Sequence, residues 1–160
     1  MTRRTVLGIL APFFLVVLHF ILHVGLSIGR AAPDLLTLAL LLAVRERGMG
    51  WGGALGFFLG LLEDAFSILA FGANALAMTV VGILGARTRE LFVGDSILFF
   101  LIYLASGKLL REVVHWAASG ETMREPFMNA VLIDGGLAAL YMALVGLPVV
   151  LFFGGARGFR

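Results

Sequence analysis

Ionisable side chains interrupt the apolar segments of this 160-residue chain at a few places, and four of them share one helical face. They lie at positions i, i+3, i+4 and i+7, and they are Lys108, Arg111, Glu112 and His115. Such spacing forms a single stripe along a helix. Buried charges cost less free energy when opposite charges pair. We therefore expect Asp134 or Asp64 to pair with Lys108 or Arg111.

No residue pattern in the chain predicts catalysis or a metal centre. His19 and His23 are one helical turn apart, which is a spacing that can bind metal, but no third ligand motif accompanies them. A pair of histidines that are hydrogen-bonded or face water is the favoured interpretation. Cysteine is absent, and so are HExxH, GxSxG and Walker motifs. We expect no catalytic residue, no metal and no cofactor.

Small residues recur every fourth position before a pair of acids. Gly52, Gly56, Gly60 and Asp64 would share one face of a helix, and Glu63 lies beside Asp64. Small residues at this spacing allow two helix backbones to approach closely within a membrane. Two interpretations of this glycine seam stay open. It binds a helix of a partner protein, or it packs against another helix of the same chain.

The composition predicts an all-α polytopic membrane protein with a single domain, residues 1–160. Hydrophobic residues make up 61% of the chain and the mean hydropathy is +1.04, more apolar surface than a soluble core of this size could bury. Six transmembrane helices are expected, at about 6–29, 31–44, 49–70, 73–86, 94–116 and 127–153. The first is expected to be retained rather than cleaved as a signal peptide. Whether segments 31–44 and 73–86 are long enough to span fully is left open.

Positive charges predict the orientation of these helices. With the N-terminus in the cytoplasm, the inner side receives eight arginines: Arg3, Arg4, Arg45, Arg47, Arg87, Arg89, Arg157 and Arg160. The outer loops receive only Arg30 and Arg124. Both termini are therefore expected in the cytoplasm. Because these arginines flank hydrophobic segments, they indicate topology rather than nucleic-acid binding.

This orientation places the ionisable residues of the helices in one layer near the outer surface. The layer comprises His19, His23, Glu63, Asp64, Lys108, Arg111, Glu112 and Asp134. It predicts an outward polar pocket or a docking surface for a partner. The alternative is that these groups pair with one another and that the end of the fifth helix reaches toward the interface.

Nearly the whole chain resembles the rod shape-determining protein MreD family, and the specific motifs lie in residues 33–90. The similar motifs are the glycine run that ends in Asp64 and Ser67, the Phe-Gly-Ala-Asn-Ala-Leu sequence containing Gly72 and Asn74, and Pro33-Asp34-Leu35-Leu36. The chain length and the six-span layout are also similar. The resemblance implies a fold like that of the substrate-binding subunits of energy-coupling-factor vitamin transporters. It further implies a bacterial cytoplasmic (inner) membrane protein without enzymatic activity.

Two functions remain in view. The resemblance implies a non-catalytic scaffold of the cell-elongation complex that binds an MreC-like single-span periplasmic protein. Such a scaffold acts with MreB and wall-synthesis enzymes in lateral peptidoglycan synthesis and cell-shape maintenance. The alternative is a small-solute (vitamin-like) binding membrane subunit of a transporter. The glycine seam favours the scaffold because a partner helix uses a long groove, whereas paired carboxylates would suit a cationic solute.

Overall fold

The computed structural model describes residues 3–22, 33–45, 47–66, 70–88, 97–120 and 124–154. These described residues form helices joined by turns and contain no strand. The helices are α1 (Arg3–Phe20), α2 (Leu35–Val44), α3 (Met49–Asp64), α4 (Ala73–Arg87), α5 (Ile97–Ala118) and α6 (Gly135–Gly154). A π-helical segment, Met128–Asp134, leads into α6. The all-helical prediction is confirmed, and each of the six predicted segments contains one helix. His23 and the segment parts at 23–29, 31–32, 67–69 and 94–96 lie outside the described residues.

The shortest helix, α2, lies at the centre of the bundle and contacts all five others. Its sequence is apolar on every side, which is the pattern of a fully buried helix. Leu36, Leu38 and Leu40 have no exposed surface. Toward the end of α2, the Tyr103 hydroxyl of α5 donates a hydrogen bond to the Leu41 carbonyl oxygen at 3.1 Å. α2 is only ten residues long, or about 15 Å. This short length is compatible with its central position, because the other five helices surround it.

The glycine seam of α3 packs against α4. A Cβ added at Gly56 would overlap the Met78 carbonyl group, and one at Gly60 would lie 2.5 Å from the Ala75 Cα. Gly52 meets Gly82 in the same way, backbone against backbone. Of the two interpretations of the seam, the structure therefore shows packing within the chain. Because α4 covers this face, a partner helix cannot occupy it in this structure.

The five outer helices expose large apolar side chains. Phe13 of α1, Phe58 of α3, Leu98 of α5 and Leu137 of α6 each have more than 60% of their surface exposed. Among the described residues, one helical stretch, Met128–Val149, is long and apolar enough to cross a membrane. The apolar stretches Leu10–Phe20, Leu35–Val44 and Ala73–Arg87 are shorter.

The α3–α4 packing makes a prediction about glycine substitution. Gly56→Ala should lower the free energy of unfolding by about 1–3 kcal/mol, because the new methyl group forces two backbones apart. Gly50→Ala is the matched control in the same helix, since nothing lies within 4 Å of its added Cβ. That control should be as stable as wild type or more stable by up to about 1 kcal/mol, because alanine favours a helix more than glycine does. Thermal unfolding in detergent measures both, and equal stability of the two variants would contradict close packing at Gly56.

Candidate functional site: an ion network at one end of the bundle

Charged side chains of α5 point into the bundle and contact the residue that precedes α2. Lys108 and Arg111 are each only 6% exposed, although they carry full charges. Both side chains reach Asp34, the residue that precedes α2. Together with Glu63 and Glu112, these three residues form what we call the ion network. It lies at the end of the bundle where α3 and α5 finish and α2 and α4 begin.

Asp34 has two structural roles at once. Its Oδ1 accepts a hydrogen bond from the Thr37 backbone N–H at 2.9 Å, which caps the N-terminus of α2. Its Oδ2 accepts from Lys108 Nζ at 2.8 Å, from Arg111 Nη1 and from the Thr37 hydroxyl at 2.7 Å. A single buried carboxylate therefore satisfies the first turn of the central helix and balances two buried cations.

Arg111 extends the ion network to α3 and α4. Its Nη2 donates to both carboxylate oxygens of Glu63 at 2.6 Å and to the side-chain oxygen of Asn74 at 3.0 Å. Its Nη1 also donates to the Thr37 hydroxyl at 3.2 Å. The planar guanidinium group can bridge several acceptors in fixed directions, which an ammonium group cannot. One side chain from α5 thus joins α2, α3 and α4.

The ion network ends at Glu112, which accepts a hydrogen bond from Lys108 one turn earlier on α5. The Glu112 and Glu63 side chains keep 26% and 22% of their surface exposed, so they form the more open edge. Three carboxylates oppose two cations, so the five residues carry a formal net charge of 2 − 3 = −1. The negative excess lies beside the N-termini of α2 and α4, where helix dipoles stabilise negative charge.

Asp64 is 1% exposed and caps α4 instead of joining the ion network. Its Oδ2 accepts from the backbone N–H groups of Gly72 and Ala75, each at 2.9 Å, and its Oδ1 accepts from that of Asn74 at 3.2 Å. Gly72 has a φ of 94°, a left-handed conformation that favours glycine. The acid and the glycine of the motif together turn the chain from α3 into α4.

The acids expected to pair with Lys108 and Arg111 were assigned incorrectly. The structure uses Asp34 and Glu63 in place of Asp64 and Asp134. Asp64 is committed to three backbone N–H groups. Asp134 lies at the same end of the bundle but is exposed, and no ion pair joins it to another described residue.

The remaining predicted site residues are not members of the ion network. His19 is buried near the end of α1, and His115 is half-buried one turn beyond Arg111 on α5. Pro33 is half-buried directly before Asp34. Within the described ranges, no three His, Asp or Glu side chains cluster as a metal site would require. His23 lies outside those ranges.

The motif resemblance identifies Asp34 but not its pairing with cations, and Thr37 is not among the predicted site residues. The sequence does contain a pattern for this N-cap, because Asp directly before an apolar run typically caps a helix through the backbone N–H three residues later. The ion network and Asn74 therefore join four helices, α2, α3, α4 and α5, through hydrogen bonds and ion pairs. The Lys108 ammonium and both terminal nitrogens of Arg111 already donate to acceptors within the chain.

Comparisons with protein-family models, with curated proteins and with solved structures gave no match to this chain.

The double role of Asp34 predicts a large cost for removing its charge. Asp34→Asn should destabilise the protein by about 3–5 kcal/mol, because two buried cations lose their shared carboxylate. Asp64→Asn removes a charge that caps a helix but forms no ion pair with a described cation, so its cost should be nearer to about 1–2 kcal/mol. Thermal unfolding of both variants in detergent gives the comparison. A cost for Asp34→Asn no larger than that for Asp64→Asn would contradict the ion network.

The geometry of Arg111 predicts that lysine cannot replace it. Arg111→Lys keeps the charge but cannot reach Asp34, Glu63 and Asn74 together, so it should destabilise the protein nearly as much as Arg111→Met. Asp134→Asn, at an exposed position where no ion pair joins the carboxylate to another described residue, is the charge control and should leave stability unchanged. Wild-type thermal stability of Arg111→Lys would show that charge alone suffices.

Proposed function

We propose that this chain is a six-span protein of the bacterial cytoplasmic membrane and a non-catalytic scaffold of the cell-elongation complex. In this proposal it binds an MreC-like single-span periplasmic protein, as its resemblance to the MreD family implies. Lateral peptidoglycan synthesis and cell-shape maintenance are then the processes that it supports, together with MreB and wall-synthesis enzymes. Its fold would be like that of the membrane subunits that bind substrate in energy-coupling-factor transporters.

The apolar exterior of the bundle supports a membrane location. Phe58, Leu98 and Leu137 are among many large apolar side chains that lie on the outside of the helices. Soluble monomers rarely expose such continuous apolar surface, whereas lipid would cover it. α2 is too short to span alone, but its ends lie within protein, where a bilayer tolerates short or broken helices. α5 is 22 residues long, and its three charges lie in the ion network.

The observation that carries the scaffold proposal is that the motif residues build joints between helices. Asp34 caps α2, Asp64 and Gly72 form the α3–α4 turn, and Asn74 accepts from Arg111. The charged side chains of the ion network, which could otherwise recognise a cationic or anionic solute, form ion pairs with each other. This internal pairing favours a rigid scaffold over a subunit that binds a solute at this end.

The orientation in the proposal follows from the arginines. With both termini in the cytoplasm, the ion network lies toward the periplasm. Arg45 and Arg47 then lie at the cytoplasmic end, where their guanidinium groups stack 5.3 Å and 5.1 Å from the ring centres of Phe100 and Trp51. A periplasmic protein anchored by one helix would meet the bundle at the end that holds the ion network.

Co-purification from native bacterial membranes tests this proposal. A tagged full-length chain should recover a single-span periplasmic coiled-coil protein of the MreC type in near-stoichiometric amount. The tagged Asp34→Asn variant, in which the ion network is broken, should recover at least about tenfold less at equal expression. Recovery of ATPase subunits together with a bound vitamin would replace the scaffold with the transporter alternative. If the Asp34→Asn variant recovered as much of the MreC-type protein as wild type, partner binding would not require an intact ion network.

A further inference from the structure

Asp134 is a carboxylate exposed on an apolar helix surface. It ends the π-helical segment, within the one stretch of described chain, Met128–Val149, that is long and apolar enough to cross a membrane. Leu137 and Tyr141, three and seven residues later on the same helical face, are 64% and 46% exposed. The carboxylate therefore lies on a helical face whose next exposed side chains are large and mostly apolar.

The next residue fixes the level of Asp134 in the bundle. Gly135 is buried, and a Cβ added there would lie 3.1 Å from Glu112 Cγ. Asp134 thus lies at the level of the ion network but on the outer surface. It is six residues beyond Met128, or less than about 9 Å along the helix axis, because a π-helix rises less per residue than the roughly 1.5 Å of an α-helix. An exposed acid at such depth is costly in hydrocarbon unless a cation or water meets it.

We propose that Asp134, with the exposed side chains of Leu137 and Tyr141 on the same helical face, forms a docking surface for a single-span helix that carries one Lys or Arg. Charge complementarity specifies this occupant, because the surface offers one carboxylate within an apolar face. No ion pair within the described part of the chain uses that carboxylate. The π-helical turn is consistent with this role, since such turns are frequent at functional sites.

The inference rests on the membrane location of α6 given under the proposed function, but not on the identity of the partner. If co-purification of an MreC-like protein failed, the docking surface would still stand. If only the docking surface failed, the contact with the proposed partner would lie on another face.

A defined peptide tests the surface. The probe is a synthetic leucine–alanine membrane helix with one lysine six residues from its outer end, and the comparison helices carry leucine or glutamate there. Because the chain has no cysteine, Gly120→Cys provides a single labelling position at an exposed residue with open space around it. Energy transfer between labelled protein and labelled peptide in phosphatidylcholine bilayers gives the affinity.

The lysine helix should bind roughly tenfold more tightly than the leucine helix, and the glutamate helix should bind most weakly. Asp134→Asn should remove the preference for lysine, whereas Asp134→Glu, which keeps the carboxylate, should retain it. Equal binding of the lysine and leucine helices would overturn the proposal, because lipid headgroups or water would then solvate the Asp134 carboxylate. A preference for lysine that survives Asp134→Asn would also overturn it, because the cation would then bind elsewhere.

Discussion

The salt bridge between Arg111 and Asp34 is the interaction on which the rest of the bundle depends. α2 is almost entirely apolar and lies inside the other helices, so the polar groups at its N-terminus must be satisfied by protein. Asp34 meets part of this requirement as the N-cap. A lone buried carboxylate would itself be costly, and Lys108 and Arg111 balance it. Burial of the central helix thus explains the need for buried charges on α5.

The same guanidinium group links that requirement to the α3–α4 hairpin. Arg111 bonds Glu63 at the end of α3 and Asn74 at the start of α4. Along the rest of the hairpin, the glycine seam brings the backbones of α3 and α4 together. Asp64 accepts hydrogen bonds at the N-terminus of α4. The hairpin and the central helix are therefore joined through one residue. A rigid end of the bundle, built in this way, suits a protein whose proposed role is to hold a partner in place.

Much of this architecture could be predicted because it depends on local periodicity. The six helices follow apolar segments, and the stripe from Lys108 to Glu112 follows helical spacing. The identity of the paired acids could not be predicted in the same way. Depth along a helix places Asp34, Asp64 and Asp134 at one level, but rotation of each helix about its axis decides which acid faces inward. Rotation depends on packing, and packing turns Asp134 outward and Asp64 toward the α4 backbone.

A double-mutant cycle between Asp34 and Arg111 tests the role of this salt bridge most directly. The free energies of unfolding of wild type, Asp34→Asn, Arg111→Met and the double variant would be measured in one detergent. The bridge predicts a coupling energy of about 2 kcal/mol or more, with the double variant far less destabilised than the sum of the single variants. Additive effects, within about 0.5 kcal/mol, would show that the two residues stabilise the bundle independently.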